Sequence, residues 1–303
     1  MKKFLNSVLF VGAGVFALDR IGGKAMQWVN RHTRDVAGPK ILYLVEDIKE
    51  EVVLMGTSRC NYHYVPSLIS DSIGMSVYNG GIDASSNIYA HYIVLCHILA
   101  HHTPKVICLD VSASDFALQD KPLRTVSFFA PYFGRNAAAD SVFREAGTYG
   151  AYRLSHLYRF NAKAVSNLMG LAINRHEQDD HGYIPLSRPP YFPDKLEETP
   201  LPKAVDEKKL DYLRRFIALC HDRGIRLVFS ISPAYCIVAP THYDVLKTEA
   251  RRNGVPFLDY HSTGLFLDHP EYFKDNGHLW DEGATLFSEI FADDLRQILS
   301  TCR

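Results

Sequence analysis

At 303 residues, 47% hydrophobic and 22% charged, the chain has the composition of an ordinary globular protein, long enough for one α/β domain with insertions or for two small domains. Its net charge of −1, with no basic stripe carrying interleaved aromatics, excludes a nucleic-acid surface as the leading reading. Six scattered cysteines show no CxxC pair, a domain of this size needs no disulfide framework, and the compartment is left open.

Lys2 and Lys3 precede an apolar run over residues 4–18 that is short for a bilayer span of about 20 residues. The run reads as a signal peptide's apolar region, with Val15-Phe16-Ala17 before a possible cleavage point, or as an uncleaved anchor whose helix continues past Asp19-Arg20. A buried or capping helix is the bland alternative. Arg20, Lys24, Arg31 and Arg34 outnumber the basic residues before the run, which by the positive-inside rule favours a cytoplasmic domain. Large domains translocate largely regardless of charge, so the expectation is an anchor over residues 1–45 and an extracytoplasmic (periplasmic) domain over residues 46–303. Residues 25–51 read as a juxtamembrane helix and linker.

The first strand is Val52-Val53-Leu54-Met55, stopped by Gly56 and followed at once by Thr57-Ser58-Arg59. A short helix is expected near residues 67–72, a second strand over 75–79 and an apolar helix over 87–101. Pro104 ends that helix, and Val106-Ile107-Cys108-Leu109 begins a third, continuously apolar strand of the kind buried on both faces of a parallel sheet. Residues 121–202 interrupt the alternation with aromatics and prolines. They read as an insertion folding over a crevice, or equally as an extension completing the core, with a helix over 152–173. Order returns with a helix over 206–223 closed by Gly224, a strand over 226–231, a helix over 243–253 closed by Gly254 and a strand over 255–259. Asp275-Asn276-Gly277-His278 then precedes a last amphipathic helix over 282–299. Strands alternating with helices give an α/β fold: a flavodoxin-like three-layer α/β/α sandwich around a parallel sheet.

Ligands bind such sheets outside the carboxyl ends of the strands, where Ser58 would stand at the start of a helix. Serine becomes a nucleophile only when a base takes its proton and a third group holds the base in one tautomer. His278 is the candidate base, and Asp275, three residues earlier, the candidate orienter. Taken alone, each has an ordinary reading: Ser58 as a helix cap, Asp275 as a solvated carboxylate, His278 as a packed ring, Arg59 as a salt-bridged side chain, His63 as a packing residue. His101-His102 and the histidines at 176 and 181 lack further ligands, so no metal and no cofactor are expected. The lipase-type G-x-S-x-G elbow is absent.

Gly56-Thr57-Ser58-Arg59 resembles the nucleophile block of the SGNH (GDSL-like) hydrolase superfamily, and Asp275-Asn276-Gly277-His278-Leu279 its last block. Asn79-Gly80-Gly81-Ile82 resembles the second block, which implies that Gly81 lends a backbone N–H to the oxyanion hole beside that of Ser58. Ser112-Ala113-Ser114-Asp115 stands at the third block with Ser114 where the family has asparagine, a departure that puts one oxyanion donor in doubt. The variant first block is similar to that of membrane-associated SGNH-like proteins that move acyl groups onto cell-surface polysaccharides. The resemblance implies an ester-bearing small molecule or glycan as substrate, contact with the membrane and a membrane acyl-transfer partner. The rival expectation is a non-catalytic, membrane-tethered glycan-binding or assembly protein on a degenerate scaffold.

Overall fold

The computed structural model describes residues 1–35, 37–83, 87–118, 125–172, 180–200, 204–239 and 241–301, and at 113 and 114 the backbone alone. Five parallel strands form the central sheet: β1 (Val52–Met55), β2 (Val77–Asn79), β3 (Val106–Asp110), β5 (Arg226–Ile231) and β7 (Phe257–Asp259). Their spatial order is β2-β1-β3-β5-β7, the second sheet strand outermost and the rest following in sequence, which is the doubly wound flavodoxin-like order. Successive side chains point to opposite faces, so each strand supplies two cores. Val53, Met55, Ile107, Leu109 and Phe229 face one layer, where α2 (Gly38–Glu46), α5 (Ile88–Ile98) and α9 (Glu207–Asp222) pack. Val52, Leu54, Val106, Cys108 and Val228 face the other, where α4 (Pro66–Ile73) and α11 (Asp281–Ser300) pack. Asn87 caps α5 by accepting the Tyr89 N–H, and Asp206 caps α9 by accepting those of Lys208 and Lys209, satisfying donors that a helix start leaves over.

Two regions depart from the sequence expectation, and a third follows one of its two readings. The stretch expected as a linker contains α2, whose Ile41 and Leu44 are core residues and whose buried Lys40 donates to Asn61 Oδ1 and to Gly81 O. The helix expected over 152–173 is broken into α7 (Tyr149–Leu154), a 3-10 turn (Tyr158–Phe160) and α8 (Ala164–Ala172). The break has a cause: the chain at 155–157 turns to clasp Asp19, which accepts from Ser155 Oγ and from the N–H groups of His156 (2.8 Å) and Leu157 (3.2 Å). Most of the described insertion completes the core: Phe129, Tyr132, Phe143 and Tyr152 are buried with α5, and α6 (Ala137–Glu145) packs on that helix. Only its end reaches the crevice, as β4 (Glu197–Thr199) paired with β6 (Cys236–Val238).

The amino-terminal helix α1 runs unbroken from Lys2 to His32 and is long and apolar enough to cross a membrane. Residues 1–18 are exposed on every side, and contact with the body begins at Asp19.

Candidate active site

Four of the five sheet strands lead into one crevice at the carboxyl edge. β1 is followed by Thr57, Ser58 and Arg59, β3 by Ser112 and Asp115, β5 by Ala234 and Cys236, and β7 by His261, all lining a cleft of about 680 Å³. Ser58 is the first residue of α3 (Ser58–His63), so its own N–H belongs to the first turn, whose amides have no intrahelical acceptor. The turn is tight enough to need Gly56, where an added Cβ would sit 2.6 Å from the Cys60 Cβ and 3.0 Å from the Asp110 backbone oxygen.

The other half of the cleft edge comes from a small antiparallel hairpin, β8 (Phe273–Asp275) and β9 (His278–Leu279), just before α11. Its turn is organised by the Asp275 carboxylate, which accepts from the Gly277 N–H at 2.8 Å and the His278 N–H at 3.0 Å. The same carboxylate lies 2.9 and 3.1 Å from His278 Nδ1, and His278 Nε2 lies 2.8 Å from Ser58 Oγ. Segments 220 residues apart in sequence therefore meet in one continuous hydrogen-bonded line. The His278 hydrogen bond holds the Asp275 pKa below the ordinary carboxylate range, against partial burial. With Asp275 ionised, Nδ1 carries the proton and Nε2 is left to accept from the serine hydroxyl.

The His278 ring has neighbours on two sides. Tyr62 meets it edge-on at 5.5 Å and His63 at 6.2 Å between centroids. His63 is fully buried, and its Nε2 accepts the Leu279 N–H at 3.0 Å, tying α3 to the hairpin. Burial, with His278 and Arg59 nearby, lowers the His63 pKa far enough to keep it neutral. It is a packing residue, the ordinary reading of that position.

The oxyanion side differs from the expectation. Gly81 is not among the residues lining the cleft, and its N–H already donates to Asn79 Oδ1 at 2.9 Å. Its glycine identity has a steric cause: an added Cβ would lie 2.3 Å from the Asn61 N and 2.8 Å from the Cys60 carbonyl carbon, so α3 and this loop touch backbone to backbone. Asn79 also donates to the carbonyls of Cys60 (2.7 Å) and Tyr64 (2.8 Å), clamping the helix that begins at Ser58. The second block thus serves as a structural clamp here, in which the N–H expected of Gly81 is engaged by Asn79. The backbone of Ser114 belongs to a 3-10 turn (Ala113–Phe116), while its side chain lies outside the described residues.

The floor of the cleft holds charged residues that the sequence alone does not mark as part of the site. Arg59 reaches the carbonyls of Ser232 and Val111, both at 3.4 Å, beside two buried carboxylates. Burial alone would lower the Arg59 pKa, but the charge of Asp110 beside it, with Tyr243 and Asp115, raises it. Burial pushes Asp115 up to about 6, and raises Asp110 against the pull of Arg59 and of the Ser232 N–H and hydroxyl, each at 3.0 Å. The far wall carries His261, held between the Tyr243 hydroxyl at 2.6 Å and the Cys236 carbonyl at 3.0 Å. The signal for these positions was their place directly after strands, since side chains there reach the crevice. Among the described residues, no group of three or more His, Cys, Asp or Glu side chains could hold a metal ion.

A serine, an imidazole and a carboxylate in hydrogen-bonded sequence at the carboxyl edge of a doubly wound sheet define the chemistry open to the site: transfer of a proton from a hydroxyl that can then attack a carbonyl. No family model matches the chain, and no curated protein matches its sequence. Solved structures similar to it include a lipolytic protein of the G-D-S-L family from Desulfitobacterium hafniense, with 10% identity, TM-score 0.41, and 80% of this chain and 97% of that one covered. An acylhydrolase from Bacteroides fragilis gives 14% identity, TM-score 0.41, and 86% and 94% coverage. An acetyl xylan esterase gives 12% identity, TM-score 0.39, and 83% and 100% coverage. Likenesses this distant say nothing about chemistry, which rests on the geometry around Ser58.

Proposed function

We propose that the chain is a membrane-anchored serine esterase or O-acyltransferase acting on an O-acyl, acetyl-type ester of a glycan or cell-surface polysaccharide. The observation that carries the acyl chemistry is the unbroken line Ser58 Oγ–His278 Nε2–His278 Nδ1–Asp275. Ser58 Oγ attacks the ester carbonyl carbon while its proton passes to His278 Nε2. Asp275 stabilises the imidazolium, the carbonyl oxygen takes the negative charge, and the Ser58 N–H donates to it. His278 returns the proton to the departing alkoxide, leaving an acyl-Ser58. Water or a sugar hydroxyl, deprotonated by the same ring, then takes the acyl group. A cleft walled by Arg59, Glu197, Glu198, His242 and His261 suits a short acyl group on a polar carrier better than a long acyl chain. The glycan itself comes from the SGNH-like resemblance.

A fluorophosphonate tests the first half-reaction: an adduct on Ser58, lost in His278→Ala, is expected. An acetyl ester assayed with and without a polysaccharide acceptor tests the second, acceptor-dependent turnover favouring transfer. The engaged Gly81 N–H favours a second reading, a glycan-binding protein on a scaffold that has lost turnover. Unlabelled Ser58 in a protein that still binds polysaccharide is the result that would replace the first reading with the second.

A further inference from the structure

We infer that the domain rests on the bilayer through a second contact, the exposed apolar turn Leu154, Leu157 and Tyr158, so that α1 is a rigid post and not a flexible tether. The inference rests on the reading of α1 as a membrane anchor.

The first argument is length. Apart from Asn6 and Ser7, residues 4–18 are apolar or glycine around the whole helix, and they are exposed throughout. A surface helix of a globular protein has one apolar stripe, whereas one that is apolar all round calls for a nonpolar surrounding. At 1.5 Å per residue this rod is about 22 Å long. The hydrocarbon core is roughly 30 Å thick, so a spanning α1 must draw residues 19–22 toward the interface as well.

The second argument is what those residues hold. Asp19 would be a poor residue at that depth as a bare carboxylate. Here it is neutralised by Arg20 at 2.9 Å and satisfied by Ser155 Oγ and the N–H groups of His156 and Leu157. The clasp fixes the turn against α1: an added Cβ on Gly22 would lie 3.3 Å from Leu157 Cδ1, and one on Gly23 2.5 Å from His156 Cβ. Wherever residues 19–23 go, residues 154–158 go with them.

The third argument is what the turn shows to solvent. Leu154 is 74% exposed, and Leu157 and Tyr158 are each 45% exposed, beside Ile21 at 65%. Leucines that enter the acyl boundary with a tyrosine at headgroup level are the composition of a membrane interface. Arg153, exposed in the same turn, and Lys24, exposed on α1, supply charge for lipid phosphates. The occupant that fits is therefore the headgroup and upper acyl region of a phospholipid bilayer.

The test uses the full-length chain in phospholipid vesicles, with Trp28→Phe and Trp280→Phe removing the native tryptophans. Phe10→Trp reports on the post and Leu154→Trp on the turn, each in vesicles of ordinary or acyl-brominated phosphatidylcholine and phosphatidylglycerol. Both reporters should lose fluorescence in brominated vesicles, Phe10→Trp to deep bromines and Leu154→Trp to shallow ones. Adding Leu157→Asp and Tyr158→Asp should abolish quenching at position 154 alone. Quenching at 10 with none at 154 would overturn the second contact and leave the anchor standing. A blue-shifted but unquenched tryptophan at 154 would mean that protein covers the turn, and would overturn the inference equally. No quenching at either position would remove the anchor and the inference with it.

Discussion

The two sides of Ser58 are built on different principles. On the relay side each member has the partner its chemistry requires, and those partners are side chains: Ser58 to His278 at 2.8 Å, and His278 to Asp275 at 2.9 Å. On the oxyanion side the groups in question are mostly backbone amides, and the one expected from Gly81 is turned to Asn79. A relay can be assembled from two short segments wherever they meet. An amide donor, by contrast, depends on the orientation of a peptide plane, which neighbouring packing decides.

The strongest way to break this contrast is to remove the relay. Ser58→Ala or His278→Ala is expected to lower kcat/KM for an acetyl ester on the order of 10⁴-fold or more, leaving whatever the cleft and amide donors supply. Thermal stability should change little, because Ser58 and His278 are only half-buried and their mutual bond lies in the cleft. Wild-type rates in either variant, measured with the protein folded, would remove the relay from the mechanism.

Asp275→Asn is expected to cost less, on the order of a thousandfold in kcat. The amide can present its N–H₂ to Nδ1 and select the wrong tautomer, but the wild-type carboxylate side chain is 57% exposed and water can partly take over its place. The Asp275 pKa is lowered by the His278 hydrogen bond, so its contribution is complete above about 3.9, the ordinary carboxylate value, and is lost only as the pH falls through the still lower folded value. An acid limb of the wild-type rate profile well above that range would belong to another group.

The oxyanion side is sharpened by Asn79→Ala. The change strands the Cys60 and Tyr64 carbonyls and the Gly81 N–H, all buried. At roughly 1–3 kcal/mol for each buried group left unpaired, offset by relaxation and water, about 3 kcal/mol of stability should go in denaturant unfolding. A cost near zero would show that the clamp is dispensable and that the Gly81 amide is available to a substrate.

The same contrast explains what the sequence made legible. Strand order and layers follow from apolar runs such as Val52-Val53-Leu54-Met55 alternating with amphipathic helices, because one-residue alternation and helical periodicity are properties of the local chain. Ser58, His278 and Asp275 were legible because side-chain chemistry is written in residue identity, and a glycine-marked strand end says where it points. Gly81 was less legible, because glycine serves equally to expose an amide and to let two backbones touch, and its close approach to Asn61 depends on packing from another segment. The break in the helix expected over 152–173 was hidden for a similar reason. Nothing in Ser155-His156-Leu157 announces that a carboxylate 136 residues earlier needs its donors.

His63 joins the two sides, and a small pH effect isolates it. Its Nε2 holds the Leu279 N–H, which fixes the strand carrying His278, while its Nδ1 is buried with no hydrogen-bond partner among the described residues. Protonation would place a charge in the core and convert the acceptor nitrogen into a donor facing another donor, so the folded pKa lies well below the ordinary histidine value. A depressed folded value makes the contribution complete above the unfolded pKa of about 6.5 and progressively lost below it, because the unfolded chain takes up a proton that the folded chain refuses. One pH unit below that point the loss from this ring is about 1 kcal/mol. His63→Gln keeps an acceptor for Leu279 and removes the titration. It should therefore flatten the fall in unfolding free energy between pH 6.5 and 5.5 by about that amount, with kcat above pH 7 changed only as far as the hairpin has shifted. If the slope is unaltered, His63 is protonated in the folded protein, and the wall behind His278 carries a charge that would weaken the base it supports.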